Sequence, residues 1–225
     1  MIIFEQERGR LRVAQDYGMM CHSVMSRTSD PRRREAILDA AHTIFATKGY
    51  AAAGIADLAG ELGIGHGTVY RYFENKRDVA AAVLDRALER IAAVVTSEDP
   101  AATHDLYAYR AQVERIGHQL YELFAADRAL GRLVFFDLGA IDDELRDRLH
   151  AAHELFAEYT ASYLRNGVDK GFLRSDLDVD TMARVINGIL FEGAAQVSRT
   201  DDPTPLRERW IRATVTLLFD GMSAR

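Results

Sequence analysis

The chain has 225 residues, 48% hydrophobic and 28% charged, a balance typical of globular proteins that bury a core without disulfides. Its single cysteine, Cys21, excludes an internal disulfide, and no apolar run approaches the roughly 20 residues that cross a bilayer. The charged N-terminal residues, including Glu5 and Glu7, do not resemble a secretory signal, so we expect a cytoplasmic protein.

The net charge of −6, taken alone, argues against a protein that binds nucleic acid. The charge is unevenly distributed, however. Residues 26–80 carry eight basic and seven acidic residues, whereas residues 81–225 carry 17 basic and 24 acidic ones. The N-terminal part is therefore the better candidate for contact with a polyanion.

Residues 1–26 lack a helical apolar stripe and include Met19, Met20 and Met25. One interpretation is a disordered tail, or a start upstream of a native one near Met25. The other is an arm that docks on DNA or on the body of the protein. We favour the first and expect a disordered or non-native extension over residues 1–26.

Helix signals dominate from Asp30 onwards, and strand alternation is nearly absent. Asp30-Pro31 predicts a helix start, and Gly49 predicts a helix end. The predicted helices are about 30–49, 55–62, 65–73, 76–95, 103–126, 129–136, 142–168, 179–197 and 205–221. The sequence predicts an all-α fold: a three-helix helix-turn-helix domain at 27–75, joined by a long helix to a larger helical bundle within 76–225.

The stretch GIGHGTVYRYFENK, residues 63–76, resembles a phosphate-binding loop at first sight. A dinucleotide fingerprint needs a different glycine spacing after a strand, and a Walker A loop needs G-K-[ST]. Both are missing. A helix-turn-helix fits instead, because Gly63 supplies a positive φ at the turn, Ile64 pins the two helices, and Gly65 and Gly67 permit close approach of a DNA backbone.

The second helix of this unit presents hydrogen-bond donors, aromatic surface and a cation, which suits entry into a DNA major groove. The residues concerned are His66, Thr68, Tyr70, Arg71 and Tyr72. Lys76 begins the next helix, where positive charge and free backbone N–H groups favour a phosphate.

The pattern G-Y-x4-I-x2-L-A-x2-L-G-I-x2-G-T-V-Y-x-Y-F-x2-K, from Gly49 to Lys76, closely resembles the DNA-binding signature of TetR-type transcriptional regulators. The resemblance implies about nine helices, with DNA binding in the first three and ligand binding plus dimerisation in the rest. Two positions differ. Ala53-Gly54 and Gly65 stand where the family usually carries hydroxyl residues, so we expect fewer phosphate contacts.

By this resemblance, His66 and Arg71 match positions that face base edges. Thr68, Tyr70, Tyr72 and Lys76 match positions that touch phosphates, with Gly65 and Gly67 beside them. Arg32, next to Arg33 and Arg34, is a further candidate for backbone contact. The alternatives are solvated charges for the arginines and His66, and core packing for the tyrosine rings.

Aromatic residues are frequent in the larger bundle, and the resemblance implies a ligand pocket there. The candidate pocket residues are Phe124, Phe135, Phe156 and Tyr159, with His118 and His153 as polar contacts. The alternative is that the aromatic rings form core. His150 and His153 stand three residues apart but lack a second cluster, so we predict no metal and no cofactor.

The last two helices match the dimerisation helices of the family. The candidate dimerisation residues are Met182, Val185, Ile189, Leu190, Trp210, Thr214, Leu217 and Leu218. Gly188, Gly193, Ala194 and Ala195 thin one helix face and would let a partner helix cross closely.

We therefore expect a homodimer that binds palindromic double-stranded operator DNA, acts as a repressor, and is released by a small apolar or aromatic effector. One alternative is a constitutive DNA-binding regulator, which a bundle interior without a cavity of about 300 Å³ or more would favour. The other is an all-α enzyme, but we find no nucleophile–base pair or paired carboxylates in a recognisable arrangement.

Overall fold

The computed structural model describes residues 3–7, 10–14 and 30–222. Within these residues a two-stranded antiparallel hairpin, β1 and β2, precedes nine α-helices. The strands are β1 (Ile3–Glu7) and β2 (Arg10–Ala14), and the helices are α1 (Pro31–Lys48), α2 (Ile55–Glu61), α3 (His66–Val69), α4 (Lys76–Val95), α5 (Leu106–Ala126), α6 (Arg128–Arg132), α7 (Asp143–Asp169), α8 (Val179–Arg199) and α9 (Thr204–Met222). Among the described helices, none combines the length and the apolar character needed to cross a membrane.

The hairpin differs from what the sequence predicts. Its register pairs Glu5 with Arg12 and Glu7 with Arg10, so acidic positions stand opposite basic ones. The first strand reads IFEQE, which lacks the period-two alternation that identifies a strand from sequence. The remaining residues of the 1–26 extension lie outside the described residues.

Local caps define the first helices. The Asp30 carboxylate accepts the Arg32 backbone N–H at 3.0 Å, Pro31 opens α1, and Gly49 at φ +78° follows its last residue. Asn75 caps α4 in the same way, accepting the Asp78 N–H at 2.9 Å. These helix ends confirm the boundaries predicted from sequence.

The three N-terminal helices and α4 share a core. Ile37 and Phe45 of α1, Leu58 of α2 and Val69 of α3 are buried, and Phe73 closes the unit from the turn after α3. This cluster continues without a break through α4 into α5, α6 and α7. A second cluster joins α5, α7, α8 and α9 around buried Tyr109, Leu164 and Val215. The chain is thus all-α from Pro31 onwards within the described range.

Two helices are shorter than predicted. The third was expected over 65–73, but α3 covers His66–Val69 and the next residues form turns, with Phe73 N–H donating to the Val69 carbonyl at 3.1 Å. The sixth was expected over 129–136, but α6 passes at Leu133–Asp137 into a π-helical turn and then at Leu138–Ala140 into a 3₁₀ turn. The core residues of both segments keep their helical spacing, which is why periodicity alone overestimated the helices.

Gly63 holds a positive φ of +61°, whereas Gly60, inside α2, does not. Gly63→Ala should therefore lower the free energy of unfolding by about 1–2 kcal/mol, the cost of a left-handed residue with a Cβ. Gly60→Ala is the matched control, because a Cβ there meets nothing within 4 Å, and it should be stabilising by about 0.5–1 kcal/mol. Urea denaturation of both variants checks this, and equal effects would contradict it.

Candidate nucleic-acid interface and bundle cavity

The turn between α2 and α3 is held by backbone hydrogen bonds. Gly63 N–H donates to the Gly60 carbonyl at 3.2 Å, and Ile64 N–H donates to the Ala59 carbonyl at 2.9 Å. The Ile64 side chain packs against the first core cluster. The geometry of the turn therefore agrees with the roles predicted for Gly63 and Ile64.

The start of α2 lacks the hydroxyl cap expected of this kind of unit. Gly54 stands at the cap position, and the Asp57 carboxylate accepts its backbone N–H at 2.8 Å. The same carboxylate accepts a hydrogen bond from the Lys48 ammonium at 2.8 Å. The Lys48 and Gly54 hydrogen bonds lower the pKa of Asp57. The carboxylate supplies the half of a capping box that binds the N-cap N–H, and Gly54 has no side chain to supply the other half.

One face of α3 and the following turn is open to solvent. Gly65, His66, Gly67, Tyr70 and Arg71 are all exposed, and a Cβ at either glycine would meet nothing within 4 Å. This leaves the helix start accessible to a bulky partner such as a phosphodiester backbone.

Three further residues predicted for this surface are placed differently. Thr68 and Tyr72 are half-buried beside the exposed face, and Tyr72 packs against the core. Arg32 is exposed in the first turn of α1. Their contacts with DNA stay predictions.

The Lys76 side chain has an additional role that the sequence did not indicate. Its ammonium donates to the backbone carbonyls of Tyr50 and Ala53, each at 2.8 Å, and lies 4.3 Å from the centre of the Tyr50 ring. It also contacts the Ala51 carbonyl at 3.4 Å. The start of α4 is thereby tied to the α1–α2 connection, and the predicted phosphate contact of Lys76 stays a prediction.

A carboxylate between the domains joins three helices. The Asp127 carboxylate accepts a hydrogen bond from His42 Nε2 of α1 at 2.9 Å and another from the Arg90 guanidinium of α4. It also caps α6 through the Leu130 N–H. Burial alone would raise the pKa of Asp127, but the His42 and Arg90 hydrogen bonds outweigh burial and hold the pKa well below its usual range.

A second group of ion pairs lies between α4 and α7. The Arg77 guanidinium donates to the Asp142 carboxylate at 2.9 Å, where Asp142 caps α7. The Arg148 guanidinium of α7 pairs with Asp85 of α4 at 3.0 Å. The start and the middle of α4 are therefore held to the larger bundle by charge as well as by apolar packing.

A cavity of about 130 Å³ lies inside the larger bundle, between α4, α5, α7, α8 and α9. Ile91 and Val95 of α4 form part of its wall. The lining is mostly apolar and carries no Asp, Glu, Lys, Arg or His among the described residues. Its side chains with hydrogen-bonding groups are Tyr109, Tyr121, Thr160, Tyr163, Asn187, Trp210 and Thr214.

Only some of the predicted pocket residues line the cavity. Phe124 and Phe156 line the cavity, whereas Phe135 and His153 lie behind it against the ring of Phe191, at centroid distances of 5.5 and 4.6 Å. Burial lowers the pKa of His153, and His150 lowers it further.

Two other predicted pocket residues do not form part of the wall. Tyr159 turns its hydroxyl away to donate to the Glu98 carbonyl at 3.1 Å, and His118 has a buried Nδ1 that does not line the cavity.

The predicted dimerisation residues differ in their exposure to solvent. Val185 and Leu217 are exposed at 49% and 64%, and Met182 and Ile189 are half-buried. Thr214 and Leu218 are buried and line the cavity together with Leu190 and Trp210. The prediction is corrected for Thr214 and Leu218, because α9 carries apolar residues on two sides and periodicity did not tell which side faces inwards.

Gly193 has an intramolecular role. A Cβ at this position would lie 2.6 Å from Cε2 of Trp210, so the glycine makes room for the indole ring within one subunit. From the sequence, Gly193 was expected to let a partner helix cross closely. Gly188 differs, because a Cβ there meets nothing within 4 Å. Across the described residues, we find no group of three or more His, Cys, Asp or Glu side chains able to hold a metal ion.

Comparisons with known proteins agree with this architecture. Residues 37–83 match the profile of bacterial regulatory proteins of the tetR family, and residues 134–214 match the tetracyclin repressor-like C-terminal domain. The fatty acid metabolism regulator protein of Bacillus subtilis is 23% identical over 160 residues, which covers 69% of this chain and 78% of that protein.

Two solved structures share the fold. A transcriptional regulator from Saccharomonospora viridis in complex with choline has a TM-score of 0.71 at 20% identity, covering 87% of this chain and 100% of that chain. FadR from Bacillus subtilis in complex with stearoyl-CoA has a TM-score of 0.64 at 22% identity, covering 81% and 97%. At these identities the likeness concerns the fold.

The turn geometry, the exposed α3 face and the matched N-terminal profile together define a DNA-binding transcriptional regulator of the helix-turn-helix class. The C-terminal profile then assigns the family. The chain belongs to the TetR family of bacterial regulatory proteins.

The Lys76 contacts predict a stability effect that an exposed lysine would not show. Lys76→Met keeps the aliphatic stem but leaves the Tyr50 and Ala53 carbonyls without their cation, so the free energy of unfolding should fall by roughly 1–3 kcal/mol. Lys48→Met, which breaks an exposed pair with Asp57, is the control and should cost less than about 1 kcal/mol. Chemical denaturation compares them, and equal losses would refute the bracing role.

Proposed function

We propose that the chain is a homodimeric repressor that binds a palindromic operator in the cytoplasm and leaves it when a neutral apolar or aromatic molecule enters the cavity. The observation that supports this is the position of α4. Its first half packs against the helix-turn-helix unit, and Ile91 and Val95 in its second half form part of the cavity wall.

The operator contacts are proposed for the exposed face of α3. His66 and Arg71 would reach base edges, while Thr68, Tyr70 and Tyr72 would contact the backbone. One short helix covers few base pairs, so two copies about 34–36 Å apart would read the halves of a palindrome. The exposed Val185, Gly188 and Leu217 support pairing through α8 and α9.

Release follows from the shared helix. A ligand that binds better to a widened cavity favours the conformations in which α4 is displaced. Such a displacement would shift the His42–Asp127–Arg90 contacts and reorient α3. A coupling of about 1–3 kcal/mol would weaken operator binding roughly 5- to 150-fold.

The lining narrows the class of effector. A wall without charged side chains favours a neutral molecule, or the neutral part of a larger one. The volume of about 130 Å³ is close to that of an apolar protein cavity of roughly 150 Å³ that admits benzene. FadR from Bacillus subtilis was crystallised with stearoyl-CoA, and a chain of that length would need a larger cavity than this one.

The second candidate is a regulator that binds DNA without small-molecule control. The cavity volume supports this second candidate, because about 130 Å³ is less than the roughly 300 Å³ expected of a pocket for a drug-sized ligand. The two proposals separate when operator affinity is measured against a panel of small apolar molecules, because constitutive binding should not respond to any of them.

Arg71→Ala should relax sequence preference at one position in each half-site and weaken binding to the preferred operator by about 1–3 kcal/mol. Selection of bound fragments from random DNA, by the native chain and by the variant, measures this. Arg146→Ala on α7 is the control, because it removes an exposed arginine far along the chain from α3. Evenly weakened binding with a smaller salt dependence would show instead that Arg71 contacts phosphate.

Asp127→Asn should keep effector binding but reduce the effector-induced loss of operator affinity below about fivefold, because the carboxylate joins α1, α4 and α6. Operator titrations with and without a saturating effector measure the coupling. Asp143→Asn, an equal charge change at an exposed ion pair with Arg146, should leave it intact. An undiminished response in Asp127→Asn would rule out this route.

A further inference from the structure

Asn187 of α8 places a carboxamide on the cavity wall. The residue is only 6% exposed, and its Oδ1 accepts a hydrogen bond from the Thr160 hydroxyl of α7 at 2.9 Å. Both residues line the cavity. The Nδ2 of the same amide is buried and has no hydrogen-bond partner among the described residues.

A buried amide donor without a partner is unusual in a folded protein, because it has lost its water and gained nothing in exchange. The surrounding wall is predominantly apolar. Two other lining hydroxyls are oriented towards backbone carbonyls, since Tyr163 donates to the Glu98 carbonyl at 2.8 Å and Tyr121 donates to the Pro203 carbonyl, and neither oxygen accepts from Asn187 Nδ2. The Nδ2 donor of Asn187 is therefore available to an acceptor atom of a molecule that enters the cavity.

We propose that Asn187 determines effector specificity by donating from Nδ2 to a neutral acceptor oxygen on an otherwise apolar molecule, such as a ketone, ester or ether. Thr160 acts as a positioning residue, because its hydroxyl holds Oδ1 and so orients Nδ2. A carboxylate is disfavoured, since no cationic side chain lines the cavity within the described residues. This inference rests on the proposed function, which makes the cavity the effector site.

The experiment uses two probes of equal heavy-atom count, cyclohexanone and methylcyclohexane, which differ in the acceptor oxygen. Binding to the full chain without DNA is followed by the emission of Trp210, the only tryptophan in the sequence and part of the cavity wall. The native chain should bind cyclohexanone on the order of tenfold more tightly than methylcyclohexane, after correction for their different transfer from water.

Asn187→Leu should abolish this preference while retaining methylcyclohexane binding, which shows that the variant is folded. Thr160→Val should reduce the preference, whereas Thr214→Val, which removes a lining hydroxyl on α9, should not. Equal affinity of the native chain for both probes, or an unchanged preference in Asn187→Leu, would overturn the inference. If methylcyclohexane then still releases operator DNA, the proposed function stands without the specificity role of Asn187. If neither probe binds, the proposed function and the role of Asn187 both fail.

Discussion

The structure depends on one helix that belongs to two cores. Along α4, nine side chains are buried, from Val79 near its start to Ala92 near its end. The first part completes the three-helix unit that carries the exposed α3 face, and the last part borders the bundle cavity. Because protein interiors are close-packed, a change in cavity shape would be felt along α4. The proposed coupling between ligand occupancy and DNA contact rests on this shared helix.

Ion pairs near the start and near the end of α4 fix the position of this helix. Arg77 near its start pairs with Asp142, and Arg90 near its end pairs with Asp127, which also binds His42. Hydrogen-bonded ion pairs have narrow geometry, so these contacts favour a small number of discrete positions for the helix. A regulator that switches between two operator affinities needs such discrete arrangements.

The features that the sequence predicts are those encoded locally. The cap at Asp30 and the positive φ of Gly63 depend on neighbouring residues, and the structure contains both. The roles that the sequence did not predict depend on residues far apart in the chain. Lys76 contacts carbonyls 23 to 26 positions away, and Asn187 meets Thr160 across two helices. Helical periodicity places a residue on a face but does not identify the neighbour of that face.

The most direct test of the proposed coupling through α4 measures the separation of the two α3 helices in the proposed dimer. A spin label at His66→Cys, in a chain with Cys21→Ser, gives the inter-protomer distance by pulsed electron resonance before and after an apolar ligand saturates the cavity, with saturation followed by Trp210 emission. We predict a shifted distance distribution on saturation. Superimposable distributions with and without the ligand would contradict the coupling through α4.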